Sequence, residues 1–69
     1  MLNVLKRLLS ERHITIASYA KILGISEKTA RNKLNGETEF TLSEILATMD
    51  LFPEYTINYV FKKDERSMT

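Results

Sequence analysis

The sequence predicts an all-α fold of about five short helices. Apolar residues recur at helical spacing in successive segments, hydroxyl side chains that suit helix N-termini stand before most of them, and no run of strand length shows period-two alternation. A chain of 69 residues forms one domain at most. We expect that domain to cover residues 1–62 and the remaining residues, 63–69, to form a flexible C-terminal tail without an apolar face.

The first two helices are expected at residues 3–12 and from residue 16 to about residue 23. In the first, four leucines between positions 2 and 9 recur at helical spacing, with charged residues between them. Thr15 offers a hydroxyl N-cap to the second helix. Gly24 ends that helix, because glycine adopts the left-handed backbone conformation without steric cost.

The third helix is expected over residues 27–35, directly after the second. Ser26 is its N-cap, and a single residue separates Ser26 from Gly24, so the two helices must turn sharply. Ala30 and Leu34 are its only apolar residues and form a narrow anchoring stripe. The rest of the helix is polar and is left to solvent or a partner, so function is expected there.

The fourth helix carries the clearest helical signal in the chain. Thr41 and Glu44 form a capping box, and apolar residues follow at the i, i+3, i+4 and i+7 positions, namely Leu42, Ile45, Leu46 and Met49. After a turn at Pro53, Thr56 caps a short last helix that carries Ile57, Val60 and Phe61.

Composition argues against several classes of function. The chain has no cysteine, so it has neither a disulfide framework nor a thiolate metal site. Its single histidine, His13, is expected as an ordinary residue of the turn after the first helix. Without a second histidine, a glycine-rich phosphate loop or a nucleophile elbow, we expect no enzyme, metal, cofactor or small-molecule substrate. No apolar run approaches the roughly 20 residues that cross a bilayer, and a cytoplasmic location is expected.

The charge balance is nearly neutral. Ten basic and nine acidic residues give a net charge of +1, which is low for a protein whose affinity depends on phosphate contacts. Most basic residues lie in the first half of the chain, whereas five acidic residues lie between positions 37 and 54.

From Leu5 to about Phe61 the sequence resembles the helix-turn-helix domains of phage repressor and Cro-type regulators. The resemblance rests on Thr15, on Ala20 four residues before Gly24, and on the runs LGIS at 23–26, KLNG at 33–36 and FTLSE at 40–44. It implies a lambda-repressor-like fold with the helix-turn-helix at about residues 15–35. In that family the second of the two helices, here residues 27–35, enters the major groove, and the preceding helix meets the DNA backbone.

The resemblance also implies DNA contacts on and beside the third helix. Arg31 or Lys28 is placed to bind a guanine edge, and Asn32 to pair with adenine. Glu27 suits the helix N-terminus and can accept from cytosine N4, but it also repels phosphates. The full set of implied DNA-binding residues is Thr15, Ser26, Glu27, Lys28, Thr29, Arg31, Asn32, Lys33 and Asn35. Within this set, the residues expected to contact phosphates or position the helix are Ser26, Thr29, Lys33 and Asn35.

The first functional hypothesis is a phage- or prophage-type transcriptional regulator that occupies double-stranded operator DNA in the bacterial cytoplasm. The family implies a homodimer on half-sites about 34 Å apart. Tyr55 and Tyr59 lie four residues apart and belong either to the core or to a homodimer patch.

The second hypothesis is an antirepressor, a modulator of repression that keeps the fold but binds the DNA-binding domain of a phage repressor. The low net charge, Glu27 on the third helix and the apolar Ile16, where the family often places a polar residue, favour this function. Ile16 is either partly buried in the core or forms an exposed apolar spot with Ile14. The candidate partner contacts are Ile14, Ile16, Glu27, Lys28 and Arg31.

Overall fold

A computed structural model describes residues 1–63, and within them the chain forms five helices and no strand. The helices are α1 (Asn3–Glu11), α2 (Ile16–Leu23), α3 (Glu27–Leu34), α4 (Leu42–Leu51) and α5 (Ile57–Val60). The predicted all-α fold is confirmed. The predicted tail, apart from its first residue, lies outside the described residues.

Four of these helices begin at the predicted N-caps. In each, the hydroxyl oxygen of the cap accepts a hydrogen bond from the backbone N–H three residues further on, and the four caps are Thr15, Ser26, Thr41 and Thr56. The Glu44 carboxylate also accepts from the Thr41 amide at 2.9 Å, which completes the predicted capping box. Each cap satisfies an N–H that has no partner within its helix, so these local bonds determine where the helices start.

The core lies between α1, α2 and the chain that follows α4. Its fully buried members include Leu5 of α1, Tyr19 of α2, Phe52 just after α4 and Val60 of α5. α1 packs against α3 and α5, and α2 packs against α3 and α4. Burial of a large apolar side chain contributes about 1.5–3 kcal/mol, so these four side chains supply a substantial part of the stability.

Only part of the apolar stripe of α4 faces away from this core, because Met49 of the same stripe packs against it. Leu42 is 71% exposed and Leu46 is 53% exposed, whereas Glu44 and Thr48, on the opposite side of the helix, are buried. The Thr48 hydroxyl donates to the Glu44 carbonyl at 2.8 Å, so the Tyr19 hydroxyl donates to Thr48 at 2.6 Å. A polar contact with α2 therefore sets the rotation of α4, although an apolar stripe usually faces the core.

Arg12, the C-cap residue of α1, binds the turn between α4 and α5. The Arg12 guanidinium donates to the Leu51 carbonyl at 2.7 Å, forms an ion pair with Glu54 and lies 4.9 Å from the centre of the Phe52 ring. The next residue, His13, is exposed and has a φ of 59°. His13 thus lies in the turn that leads to α2, as expected from the sequence.

Within residues 1–63, no helix is both long enough and apolar enough to cross a membrane. The same part of the chain contains no group of three or more histidine, cysteine or acidic side chains arranged to hold a metal ion.

Candidate nucleic-acid interface

The turn between α2 and α3 is tight and tied to the helix before it. Gly24 has a φ of 75°, and the amide of Ile25 donates to the Ala20 carbonyl at 3.0 Å. Ala20 and Ala30 are buried, and their small side chains allow α2 and α3 to pack closely together. The pair forms a helix-turn-helix with one face of α3 held against the domain and the opposite face outward.

The outward face of α3 carries charged side chains near its N-terminus. Glu27, Lys28 and Arg31 are exposed, whereas Thr29 and Asn32 are half-buried at the edges of this face. Three of these five residues, Lys28, Arg31 and Asn32, are the ones that the sequence predicts to bind base edges. They lie on one continuous surface.

A family model of the Cro/C1-type helix-turn-helix DNA-binding domain matches residues 4–52, which span α1, except its first residue, to α4. The chain belongs to the Cro/C1-type family. A separate comparison with curated proteins found no match, and neither did one with solved structures. In helix-turn-helix proteins of this type the second helix of the motif lies in the major groove, so the chain is a DNA-binding protein of the transcription-regulator class.

Glu27 and Arg31 form an ion pair on the outward face of this Cro/C1-type domain. The Arg31 guanidinium donates to the Glu27 carboxylate at 2.8 Å, and both side chains are half exposed. Guanidinium has five N–H donors in a planar fork, so donors remain for a guanine edge. Glu27 also lowers the net positive charge of the face, which leaves Lys28 as its unpaired basic side chain among the described residues.

Ser26 and Thr15 serve first as caps of the two motif helices. The Ser26 hydroxyl accepts from the Thr29 amide at 3.1 Å and donates to the Thr29 hydroxyl at 2.9 Å. The Thr15 hydroxyl is bound in the same way to Ser18. Both caps are exposed at helix N-termini, where backbone N–H groups and the helix dipole favour an anionic group such as a phosphate.

Lys33 was expected to contact phosphate or to position the helix, and the structure places it away from the outward face. Lys33 is buried, its ammonium group lies 2.9 Å from the Glu44 carboxylate, and it donates to the Glu39 carbonyl at 2.8 Å. Its position on α3 turns it toward the loop before α4 instead of toward the outward face. Lys33 therefore holds α3 to α4 and is not available to DNA.

The Glu44 carboxyl remains ionised in this buried pair. Burial raises the pKa of Glu44, but hydrogen bonds from the Thr41 amide and the Lys33 ammonium outweigh it, so the pKa lies below its usual value of 4.5. Sequence reasoning placed Glu44 only in the capping box and missed this contact with α3, because the Lys33 partner belongs to another helix.

Asn35 lies at the other end of α3 from the charged face. It is the C-cap residue, half-buried, and its side-chain oxygen accepts from the Lys6 ammonium at 3.2 Å. This bond joins the end of α3 to α1. Lys6 was not among the predicted site residues, since a contact between positions this far apart leaves no signal in the sequence.

Ile14 and Ile16 are half-buried and pack against the core cluster. Ile16 was expected either in the core or in an exposed apolar spot, and its position agrees with partial burial in the core. The same two side chains also line a cavity of about 490 Å³ between α1, α2 and α3, together with Leu9 and Leu34. The beginning of α2 therefore presents an apolar concavity beside the motif.

Tyr55 and Tyr59 pack against each other. The centres of the two rings are 5.2 Å apart and the ring planes are nearly parallel. The Tyr59 hydroxyl also accepts a hydrogen bond from the Arg7 guanidinium at 2.9 Å. Tyr55 also contacts the core cluster, whereas Tyr59 stays partly exposed. Both rings therefore have partners within the chain.

Proposed function

We propose that the chain is a phage- or prophage-type transcriptional regulator that occupies operator DNA with α3 in the major groove, in the cytoplasm of a bacterial host. The observation that supports this proposal best is the outward face of α3, which carries Lys28, Arg31 and Asn32 beside a tight turn in a Cro/C1-type domain. The apolar stripe of α3 is buried inside the domain, so the outward face is the part of the helix that a ligand can reach.

Each group on this face has a chemical role in the proposal. Arg31 binds a guanine edge while Glu27 holds its guanidinium from one side. Asn32 pairs with adenine, and Lys28 binds either a guanine or a phosphate. The phosphate contacts come from the N-caps Thr15 and Ser26, from Thr29 in the first turn of α3 and from the C-cap Asn35.

Selection from random duplexes with the purified full chain tests this function. We expect one sequence to be enriched at low salt and its affinity to fall as salt rises, because phosphate contacts release counterions. Failure to retain any duplex at low salt contradicts the proposal. The control is the double variant Lys28→Ala with Asn32→Ala, which should lose the enrichment but keeps the buried stripe of α3 intact. Scrambling residues 27–32 would not serve, because Ala30 is buried.

A second candidate function is an antirepressor that binds the DNA-binding domain of a phage repressor. The Glu27–Arg31 pair, which reduces the positive charge of the outward face, and the apolar cavity beside Ile14 and Ile16 favour it. The two functions differ in salt dependence, since apolar docking weakens far less with salt than phosphate binding. Binding of a repressor domain, with no DNA bound at low salt, supports the second function over the first.

A further inference from the structure

The cavity of about 490 Å³ between α1, α2 and α3 reaches down to the hydrophobic core. Leu9 and Leu34, which line it, are only 3% and 1% exposed, and the half-buried Ile14 and Ile16 add to its apolar wall. Small-molecule sites are mostly apolar concavities of about 300–1,000 Å³ in which a few polar groups orient the ligand. The cavity therefore has the size and the wall of a small-molecule site, and a narrow ligand fills such a recess better than a flat protein surface does.

The polar side chains at this cavity are neutral or basic. Lys6, Ser10, His13 and Thr15 line it, and no acidic side chain of the described residues does so. The Lys6 ammonium donates to the neutral side-chain oxygen of Asn35 at 3.2 Å and has no carboxylate partner within residues 1–63. An ammonium group has three donors, so Lys6 can donate to a further acceptor. The charge at the cavity thus fits an anion.

The start of α2 favours the same kind of group. Thr15 is the N-cap of this helix of eight residues, and the first turn contains no acidic residue. The Thr15 hydroxyl accepts from the Ser18 amide, whereas the N–H groups that precede it in the first turn have no acceptor within their own helix. Those groups and the positive end of the helix dipole attract an anion beside Thr15.

We propose that this cavity binds a small carboxylate with an apolar body, such as a medium-chain alkanoate. The apolar body packs against Leu9, Ile16 and Leu34, and the carboxylate is bound by Lys6 and by the N-terminus of α2. A neutral ligand of the same shape lacks the charge-assisted hydrogen bond, and a cationic one is repelled by the Lys6 ammonium.

Titration of the full chain with octanoate, followed by amide NMR spectroscopy, tests this proposal. No DNA is present, so failure of the titration is distinct from failure of the proposed function. We expect saturable shifts of the Ser10, His13 and Ile16 amides, with a dissociation constant below about 1 mM. Octylammonium, which has the same chain length and the opposite charge, should bind about tenfold or more weakly. Acetate, which has the charge without the apolar body, should cause no saturable shift.

Two matched pairs of variants separate the charged contact from the apolar one. Lys6→Met keeps an unbranched apolar stem and should weaken octanoate binding about fivefold or more, because the charge-assisted hydrogen bond is lost. Lys21→Met removes an exposed charge of α2 outside the cavity and should have no effect. Ile16→Ala should also weaken binding, since it removes part of the apolar wall, whereas Ile22→Ala, at a 45% exposed position of α2 outside the cavity, should not. Circular dichroism checks that all four variants keep the helical content of the parent chain.

Three results would overturn the proposal. The first is the absence of saturable shifts with octanoate up to about 10 mM, which would leave the cavity to apolar docking of a protein. The second is equal binding of octanoate and octylammonium, or equal effects of Lys6→Met and Lys21→Met, because the charge would then play no part. The third is a set of shifts confined to the amides around Phe40 and Phe61, which line a separate cavity of about 180 Å³.

Discussion

At the residue scale, Glu27 determines how Arg31 can be used. The 2.8 Å ion pair holds one edge of the guanidinium, while the remaining donors can meet a base. An exposed pair at this spacing contributes only about 0.3–0.5 kcal/mol to stability, so the pair matters little for folding. In the proposed function, Glu27 would direct Arg31 toward base contacts and, by its charge, oppose contacts with phosphate.

Replacing Arg31 with alanine should remove a base contact without unfolding the domain. We expect Arg31→Ala to reduce affinity for the selected duplex by about 1–3 kcal/mol and to relax base preference at one position. Fluorescence anisotropy on the selected duplex and on its single-base variants measures both effects. Lys62→Ala removes an exposed positive charge after α5 and should leave the preference intact. Unchanged discrimination in Arg31→Ala would remove Arg31 from the set of reading residues.

Lys33 and Lys28 both lie on α3, but Lys33 is buried in an ion pair and Lys28 is exposed. Lys33→Met leaves the Glu44 carboxylate buried without its partner, and we expect a loss of about 3 kcal/mol in the free energy of unfolding. Adding Glu44→Gln, which keeps an N3 side chain suited to the capping box, should restore part of this loss. Urea denaturation measures each step. Lys28→Met, on the exposed face, should change stability by less than about 0.5 kcal/mol.

If Lys33→Met kept the parent stability but weakened DNA binding as much as Lys28→Met, the buried position of Lys33 would be contradicted. The comparison is matched because both variants lose one positive charge from α3. It therefore separates a lysine that holds two helices together from one that faces a ligand.

At the element scale, the features that could be predicted are those encoded by neighbouring residues. The starts of α2 to α5 follow from a hydroxyl cap and the N–H three residues later, and the end of α2 follows from Gly24. The tight turn likewise places the outward face of α3. Each of these signals lies within one or two helical turns, so one sequence contains it in full.

The rotation of α4 could not be predicted in this way. Its stripe, which includes Leu42 and Leu46, is typical of a core-facing helix, yet Glu44 and Thr48 face inward because their partners are Lys33 and Tyr19. Those partners belong to other helices. The same long-range contact explains why Lys33 was assigned to DNA on sequence grounds.

The hydrogen bond between α2 and α4 should produce a dependence of stability on alkaline pH. Burial raises the pKa of Tyr19 from 10.0 to about 12. Between pH 10.0 and about 12, the unfolded chain releases the tyrosine proton and the folded chain retains it. The free energy of unfolding therefore decreases as the pH rises through this range. Tyr19→Phe lacks this titration and should lose stability less steeply between pH 10 and about 12.

At neutral pH, Tyr19→Phe should cost about 1 kcal/mol, because the Thr48 hydroxyl loses its donor. Thermal denaturation of the parent and the variant across the alkaline range measures both effects. Parallel pH profiles for the two proteins would show that the Tyr19 hydroxyl titrates alike in the folded and unfolded states, contrary to its burial.

At the scale of the whole molecule, positive and negative charges nearly cancel, and several basic side chains have acidic partners within the chain. The net charge is +1, and among the described residues four basic side chains are held in ion pairs, namely Arg7, Arg12, Arg31 and Lys33. For the proposed function, we therefore expect recognition to rely on base contacts and helix N-termini more than on bulk electrostatic attraction.

This charge distribution predicts a moderate dependence of DNA affinity on salt, which is still stronger than that of apolar docking. We expect the basic side chains of each chain to neutralise about two or three phosphates, so the logarithm of the association constant should fall with the logarithm of salt concentration at a slope of about −2 to −3. Lys28→Ala should reduce the magnitude of the slope by about one, whereas Lys62→Ala should not alter it. Anisotropy titrations on the selected duplex at several salt concentrations give the slopes. A slope steeper than about −6, or one that Lys28→Ala leaves unchanged, would mean that basic residues away from α3 carry the phosphate contacts.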